Sequence, residues 1–236
     1  MTIDMLTHIG SSKGHKYTIE SLLELMDEAK IEKAMICSQL ETIDNEYIYD
    51  CTKRYPDRTL GFAVINPWDE KGEEKLERCY QDYGFYGVKM NALRFGYSGD
   101  RRSLLGPYFE ICRKYRKCAV VHGDSDLFSI PDKWADMAKA YPDVPVVYFH
   151  MGVPMMSERA CELARDVPNF YLSTCAAFVP VMKMAYEVAG PEKILFSSDA
   201  PFGSPSQELV KLSYICKNEA HMEMMLSGNA KRIMNL

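Results

Sequence analysis

Four ionisable residues follow short apolar segments of this sequence, at points where a strand would end. His8 follows residues 2–6, His122 ends the strand in AVVHGD, His150 ends the strand in VVYFHMG, and Asp199 follows the apolar part of ILFSSDAPF. Imidazole nitrogens and a carboxylate oxygen are the ligands that a zinc-like cation prefers. Each residue alone also fits a hydrogen-bonded histidine or, for Asp199, a helix N-cap. Together the four predict a metal-dependent catalytic site.

The elements that would position these residues alternate along the chain. Runs of β-branched and other apolar residues predict eight strands, at residues 2–6, 33–37, 59–65, 85–90, 118–121, 145–149, 170–173 and 194–196. Segments with helical spacing of apolar residues lie between them, at about 18–30, 44–54, 69–82, 104–116, 132–140, 154–165, 179–189 and 206–216, with a final pair after residue 219.

This alternation implies a parallel sheet. Eight such units within 236 residues predict an α/β fold, a compact (β/α)8 TIM barrel. An open doubly wound sheet is the alternative, but the segment THIGSSKGHK after the first strand lacks the glycine-rich motif of that fold. In a barrel the C-terminal ends of the strands meet at one rim, which would bring the four ionisable residues together.

The overall composition is that of an ordinary globular protein. The chain has 236 residues, 47% of them hydrophobic and 26% charged, and we expect one domain over residues 1–236. The net charge of -5 argues against general binding to nucleic acid or to an anionic membrane. No apolar run approaches the ~20 residues that span a bilayer, and the N-terminus lacks a secretory signal, so we expect a cytoplasmic protein.

The cysteine pattern fits that compartment. Eight cysteines without a C-x-x-C pair argue against a disulfide scaffold, a zinc ribbon or thioredoxin-type redox chemistry. Cys175 lies just past a predicted strand and would need a neighbouring base to act as a nucleophile. A buried structural thiol is the favoured interpretation of this residue.

Seven segments, in the right order along the chain, resemble one protein family. They are IDMLTHIG at 3–10, YPDRTLGFAVINP at 55–67, GVKMN at 87–91, AVVHGD, VVYFHMG, ILFSSDAPFG and LSGNAKRIMNL at 226–236. The family is that of the amidohydrolase-related (amidohydrolase 2) metal-dependent hydrolases with a TIM barrel, in the branch that contains aminocarboxymuconate semialdehyde decarboxylase. The resemblance implies that His8, His122 and Asp199 are metal ligands, and that His150 acts as acid and base beside the metal, with Asp199 as the second catalytic group.

One departure from the family pattern affects the metal. Leu6 stands where the family has the first histidine of H-x-H, and leucine cannot bind a cation. Side chains alternate along a strand, so Asp4, Leu6 and His8 should share one face, with Asp4 two residues deeper, roughly 6.6 Å from the position of Leu6. His15, in the loop after the first strand, is a less favoured substitute. Three ligands would remain for one divalent cation, zinc or alternatively manganese, and the loss of the fourth leaves its occupancy open.

Several residues near the predicted rim are candidates for substrate binding. Lys89 could bind a substrate anion, pair with Asp199 or, if carbamylated, bridge two metals; a structural salt bridge is the favoured interpretation. Arginines of the loop NALRFGYSGDRRS suit a carboxylate substrate, and aromatic residues near the rim suit a pocket; these are Arg94, Arg101, Arg102, Tyr97 and Phe202. Asp124 and Asp126 would either orient His122 or cap the next helix.

These observations leave three functions open. The first is a metal-dependent hydrolase that acts on a small, carboxylated ester, lactone or amide by metal-activated water. The second is a non-oxidative decarboxylase that uses the same site, which the family resemblance allows. The third is a degenerate barrel without metal that only binds a ligand. A small molecule is the expected partner in each case, and the family resemblance also allows a homo-oligomer.

Overall fold

Eight parallel strands in sequence order form the centre of the molecule. The computed structural model describes residues 1–12 and 14–236. Its strands are β1 (Ile3–Ser12), β2 (His15–Tyr17), β3 (Lys33–Ser38), β4 (Thr59–Val64), β5 (Gly87–Met90), β6 (Cys118–Val121), β7 (Val146–Tyr148), β8 (Phe170–Ser173) and β9 (Ile194–Leu195). The sheet order is β2-β1-β3-β4-β5-β6-β7-β8-β9, and every pair from β1–β3 to β8–β9 is parallel. This order never reverses, so the alternative of a doubly wound sheet is wrong.

The chain after β9 closes the sheet against β1. The backbone N–H of Met5 donates to the oxygen of Phe196 at 3.0 Å, and the N–H of Asp199 donates to the oxygen of Leu6 at 2.9 Å. The N–H of His8 donates to Ala200 at 2.7 Å, beside a parallel bridge between Thr7 and Ala200. The predicted (β/α)8 TIM barrel is confirmed.

The helices surround this barrel. They are α1 (Ile19–Glu28), α2 (Asn45–Arg54), α3 (Gly72–Gln81), α4 (Ala92–Phe95), α5 (Arg102–Tyr115), α6 (Pro131–Ala140), α7 (Ser157–Asp166), α8 (Val179–Val188), α9 (Pro205–Ile215), α10 (Glu219–Glu223) and α11 (Asn229–Met234). Side chains of Thr18, Asp44, Ser204 and Asn218 accept backbone N–H groups at the first turns of α1, α2, α9 and α10, which explains why these helices begin there. Within the described residues, no helix has the length and apolar character that crossing a membrane requires.

Two buried apolar layers hold the barrel together. The inner layer fills the barrel with side chains that include Met35, Phe62, Val120 and Leu195, together with Ile233 of α11. The outer layer packs the helices on the sheet. Successive strand residues alternate between these layers, as a barrel requires.

The first strand differs from the sequence expectation in two ways. It extends to Ser12 and pairs antiparallel with β2, a segment predicted as loop. Its pairing with β3 also shifts between Asp4 and Thr7, so that Met5 and Leu6 both oppose Met35. Both side chains of this bulge belong to the inner layer. The expectation that Asp4 shares a face with Leu6 and His8 is therefore wrong, because the bulge interrupts the alternation.

Asp4 instead belongs to the seam that closes the barrel. Its Oδ1 accepts the backbone N–H groups of Ser198 at 2.9 Å and Leu6 at 3.2 Å, and its Oδ2 accepts the Ser198 hydroxyl. Asp4 is completely buried, and this burial raises its pKa from 3.8 to about 7. A raised pKa in the folded state contributes stability that is present below the unfolded pKa and is lost as the pH rises through about 7.

We expect Asp4→Asn to flatten the dependence of stability on pH. Between pH 5 and pH 8 the wild type should lose about 2 to 3 kcal/mol of unfolding free energy relative to Asp4→Asn, whose amide can still accept both N–H groups. Urea unfolding at the two pH values measures this difference. Asp50→Asn on the exposed side of α2 is the matched control and should leave the pH dependence unchanged. Parallel pH profiles for wild type and Asp4→Asn would contradict this role.

Candidate active site at the barrel mouth

His8 lies near the middle of β1, beside Cys37 of β3. Its Nδ1 is 3.3 Å from the carbonyl oxygen of Ser38 and 3.2 Å from Sγ of Cys37. Its Nε2 is 3.5 Å from Oδ1 of Asp199. The carbonyl oxygen of Ser38 can only accept, so Nδ1–H of His8 donates to it, and the Nε2 lone pair faces the Asp199 carboxylate.

Asp199 reaches this position through an unusual backbone conformation. It has φ +60°, and its N–H is bonded to Leu6 of β1. Its own carbonyl oxygen accepts the N–H groups of Phe202 at 2.8 Å and Gly203 at 3.0 Å. The turn therefore fixes the Asp199 carboxylate beside the first strand, and a left-handed residue is tolerated there because both sides of it are bonded.

His122 and His150 form the other half of the site. Their rings meet edge to face, with centroids 5.1 Å apart. A Cβ on Gly123 would collide with the carbonyl oxygen of Phe149, so only glycine lets the chain turn closely behind His122. His150 has φ +61° in the 3-10 turn Phe149–Gly152, and its Nδ1 is 3.3 Å from the carbonyl oxygen of Cys175. Donation from Nδ1 leaves the Nε2 lone pair of His150 free.

Lys89 lies inside the barrel beneath these residues. Only 2% of its surface is exposed, and its Nζ is 4.2 Å from the centroid of the Phe149 ring. Burial lowers its pKa to about 8, while the neighbouring Asp199 raises it. The side chain therefore remains largely cationic at neutral pH. Among the described residues the predicted salt bridge to a carboxylate is not formed, and the ammonium of Lys89 lies over the ring of Phe149 instead.

Burial and Lys89 together keep the three histidines neutral. Desolvation lowers the pKa of His8 to about 4 and that of His122 to about 2, and the charge of Lys89 lowers both further. The pKa of His150 is also lowered, chiefly by burial. Burial raises the pKa of the Asp199 carboxyl, against the opposing effects of His150 and Lys89. Neutral imidazoles can bind a cation or accept a proton.

Only two of the three predicted metal ligands are in contact with each other. His8 and Asp199 are in contact, and Leu6 lies buried in the inner apolar layer. Across residues 1–12 and 14–236, the one group of three potential ligands whose atoms all lie within 4.8 Å of one another is His122, Asp124 and Asp126. The set of His8, His122 and Asp199 does not reach this spacing. The fit to a cation at the position that the family resemblance implies is therefore incomplete.

From the sequence, Asp124 and Asp126 are expected only to orient His122 or to cap the next helix. Oδ2 of Asp124 is 3.9 Å from Nε2 of His122. Oδ2 of Asp126 is buried and has no hydrogen-bond partner among the described residues. Such an orphaned carboxylate oxygen fits a divalent cation. The sequence signal for this group is the segment HGDSD, which places both carboxylates within four residues of His122.

The other predicted substrate residues lie at different depths. Phe202 is 60% exposed at the mouth, with its ring 5.9 Å from that of His8. Arg94 of α4 is 3.8 Å from Glu41, and Arg101 lies over the ring of Trp68 at 4.9 Å. Arg94 in α4 and Arg101 at the start of α5 both lie outside the buried centre. Their role in binding stays a prediction.

Three further candidates are excluded from the centre. Tyr97 is buried in the outer layer against Trp134, so it is not a pocket residue. His15 is exposed in β2 and belongs to no three-ligand group in the described part of the chain. Cys175 is completely buried, and this burial raises its pKa to about 12, which fits the predicted structural thiol and leaves little thiolate.

Comparison with known proteins agrees with this architecture. The gamma-resorcylate decarboxylase of Polaromonas sp. (strain JS666 / ATCC BAA-500) is 21% identical over 248 residues, which cover 81% of this chain and 75% of that protein. An uncharacterised TIM-barrel protein from Bordetella bronchiseptica superposes with a TM-score of 0.84 at 18% identity, covering 99% of this chain and 98% of that one. A dihydroxybenzoic acid decarboxylase from Polaromonas sp. JS666, with bound manganese and the inhibitor 2-nitroresorcinol, superposes with a TM-score of 0.79 at 18% identity. This match covers 100% of this chain and 97% of that one.

The family assignment comes from the sequence of nearly the whole chain. The model of the family described as amidohydrolase matches residues 18–236, which includes every strand from β3 to β9 and three of the four residues singled out at the mouth. This chain belongs to the amidohydrolase family.

Proposed function

We propose that this chain catalyses the non-oxidative decarboxylation of a small aromatic carboxylate at the mouth of its barrel. The observation that carries the proposal is the buried ammonium of Lys89, which has no ion pair among the described residues and interacts electrostatically with both His150 and Asp199. The activities named for the similar proteins, on gamma-resorcylate and on dihydroxybenzoic acid, support decarboxylation over hydrolysis. The sequence favours a hydrolase and leaves a decarboxylase as the alternative; we now prefer the decarboxylase.

The charge of Lys89 favours an anionic substrate. Burying an ammonium without a counter-ion is costly, and the ring of Phe149 offsets only part of that cost. A substrate carboxylate or phenolate that reaches Lys89 would remove the imbalance through a charge-assisted hydrogen bond. Anion binding thus follows from the burial of this one side chain.

The aromatic residues near the mouth favour a planar ring. Phe202 is exposed there and contacts Tyr17, with ring centroids 6.0 Å apart, as well as His8. Aromatic faces and edges stabilise a bound ring by offset or edge-to-face packing. A hydroxybenzoate presents both features, the ring and the anionic oxygens.

The reaction needs one proton and releases carbon dioxide. A proton passes to the ring carbon that bears the carboxylate, a C–H bond forms, and the C–C bond to the carboxylate breaks with its electrons returning to the ring. We assign this proton to the Asp199 carboxyl, whose pKa is raised by burial, with His150 returning a proton from solvent. A divalent cation held at the mouth would supply charge that orients and neutralises the substrate oxygens.

The direct test uses hydroxybenzoates labelled with carbon-13 in the carboxyl group. Incubation with the manganese-loaded protein should release labelled carbon dioxide and leave the matching phenol. Hydrolysis of carboxylated lactones or esters without release of carbon dioxide from any benzoate would contradict the proposal and favour the hydrolase.

We expect Lys89→Met to impair substrate binding. Loss of one charge-assisted contact should lower kcat/KM by about ten- to a hundredfold, mainly through KM. Methionine suits the buried position, so the thermal stability should be unchanged or higher. Steady-state kinetics and a melting curve measure both effects. Lys75→Met, on the exposed face of α3, is the control, and equal effects of the two substitutions would contradict the role of Lys89.

We expect Asp199→Asn and His150→Gln to act on the chemical step. Each should lower kcat by about a hundred- to ten-thousandfold, because each removes a group that handles the proton. Binding of a nitroresorcinol inhibitor, measured by calorimetry, should change far less than kcat. Asp136→Asn, on the exposed side of α6, should keep full activity. Wild-type kcat in either site variant would exclude that residue from proton transfer.

A further inference from the structure

We propose that the divalent cation of this chain is held by His122, Asp124 and Asp126 in the loop after β6, instead of by His8, His122 and Asp199. This assignment concerns where a cation binds and does not depend on which reaction the protein catalyses. It moves the cation from the closing seam of the barrel towards the side of the mouth.

The first support is the geometry of the loop. One potential ligand atom from each of His122, Asp124 and Asp126 lies within 4.8 Å of the other two, a spacing that the ligands of a single ion require. The hydroxyl of Tyr148, itself buried, is 3.0 Å from the carbonyl oxygens of both Asp124 and Ser129. This contact fixes the two ends of the loop and so holds the group together before a cation binds.

The second support is the use of the carboxylate oxygens. In Asp124, Oδ1 accepts the N–H of Ser125 at 2.6 Å, while Oδ2 faces His122. In Asp126, Oδ1 accepts the N–H groups of Phe128 at 2.8 Å and Ser129 at 3.1 Å, while Oδ2 is buried without a partner. Each carboxylate is thus oriented through Oδ1 and leaves Oδ2 available to bind a cation. Among the described residues, neither carboxylate forms an ion pair with a lysine or an arginine.

The third support is that the cation position implied by the family resemblance, at His8 and Asp199, is poorly suited to a cation. His8 and Asp199 contact each other directly, and Leu6 removes the ligand that would complete their set. The buried ammonium of Lys89 interacts electrostatically with His8, His122 and Asp199, so it would repel a dication at either position. The loop after β6 contains two carboxylates against one histidine, so it can balance the charge of the ion.

The donor set also indicates the class of cation. Two carboxylates and one imidazole favour a hard or borderline ion such as Mn²⁺ over a soft thiophilic one. His122 remains a ligand in this arrangement, and its ring is 5.1 Å from that of His150. The ion would therefore still lie beside the catalytic histidine and could contact a substrate at the mouth.

Titration calorimetry with MnCl2 on the metal-stripped, full-length chain separates the two positions. The wild type should bind one Mn²⁺, and Asp126→Asn and Asp124→Asn should each weaken Kd by at least about tenfold. Asp199→Asn should stay within about threefold of the wild type, as should the surface control Asp143→Asn. Circular dichroism checks that each variant is folded. If Asp126→Asn does not fold, the result with Asp124→Asn distinguishes the two positions.

Three results would overturn the assignment. One is loss of binding in Asp199→Asn with binding kept in Asp126→Asn and Asp124→Asn. Another is equal weakening in all three of these variants, which would indicate a site that spans the mouth. The last is no binding of Mn²⁺ to the wild type at millimolar concentration. Because no substrate is used, these results are independent of whether the protein decarboxylates benzoates.

Discussion

The seam between β1 and the segment after β9 is the constraint on which the site depends. It closes the barrel through the backbone bonds of Met5, Leu6 and His8, and it is tightened by the buried carboxyl of Asp4 on Ser198. The same bonds set the left-handed conformation of Asp199 and bring its carboxylate to His8. The bonds that close the barrel therefore also position half of the candidate site, because the backbone groups of His8 and Asp199 take part in them.

A second constraint is the distribution of positive charge inside the barrel. Leu6 makes the deep end of the mouth apolar, and Lys89 places an ammonium in the same interior. The buried cation and the burial itself keep His8, His122 and His150 neutral. Carboxylates that are free to balance a dication lie instead in the loop after β6. We therefore propose two separate sites, one for an anion at Lys89 and one for a cation at Asp124 and Asp126, with His150 and His122 in ring contact between them.

Much of this arrangement could be predicted from the sequence. The regular alternation of strand and helix patterns predicted the barrel, because the side-chain period of a strand differs clearly from that of a helix even over short segments. The strand ends then predicted that His8, His122, His150 and Asp199 would lie at one rim. The bulge at Met5 and Leu6 could not be predicted, since a bulge is decided by how a strand pairs and not by its own pattern. The sequence does not indicate the proposed cation ligand Asp126 for a related reason, because only the folded loop shows that one of its oxygens has no partner among the described residues.

The most direct test of this account is the location of Mn²⁺ in crystals of the protein grown with MnCl2. Anomalous difference density, collected near the manganese absorption edge, locates the ion without reference to activity. We expect one peak among His122 Nε2, Asp124 Oδ2 and Asp126 Oδ2. A peak between His8 and Asp199, with Lys89 displaced from the ring of Phe149, would contradict it.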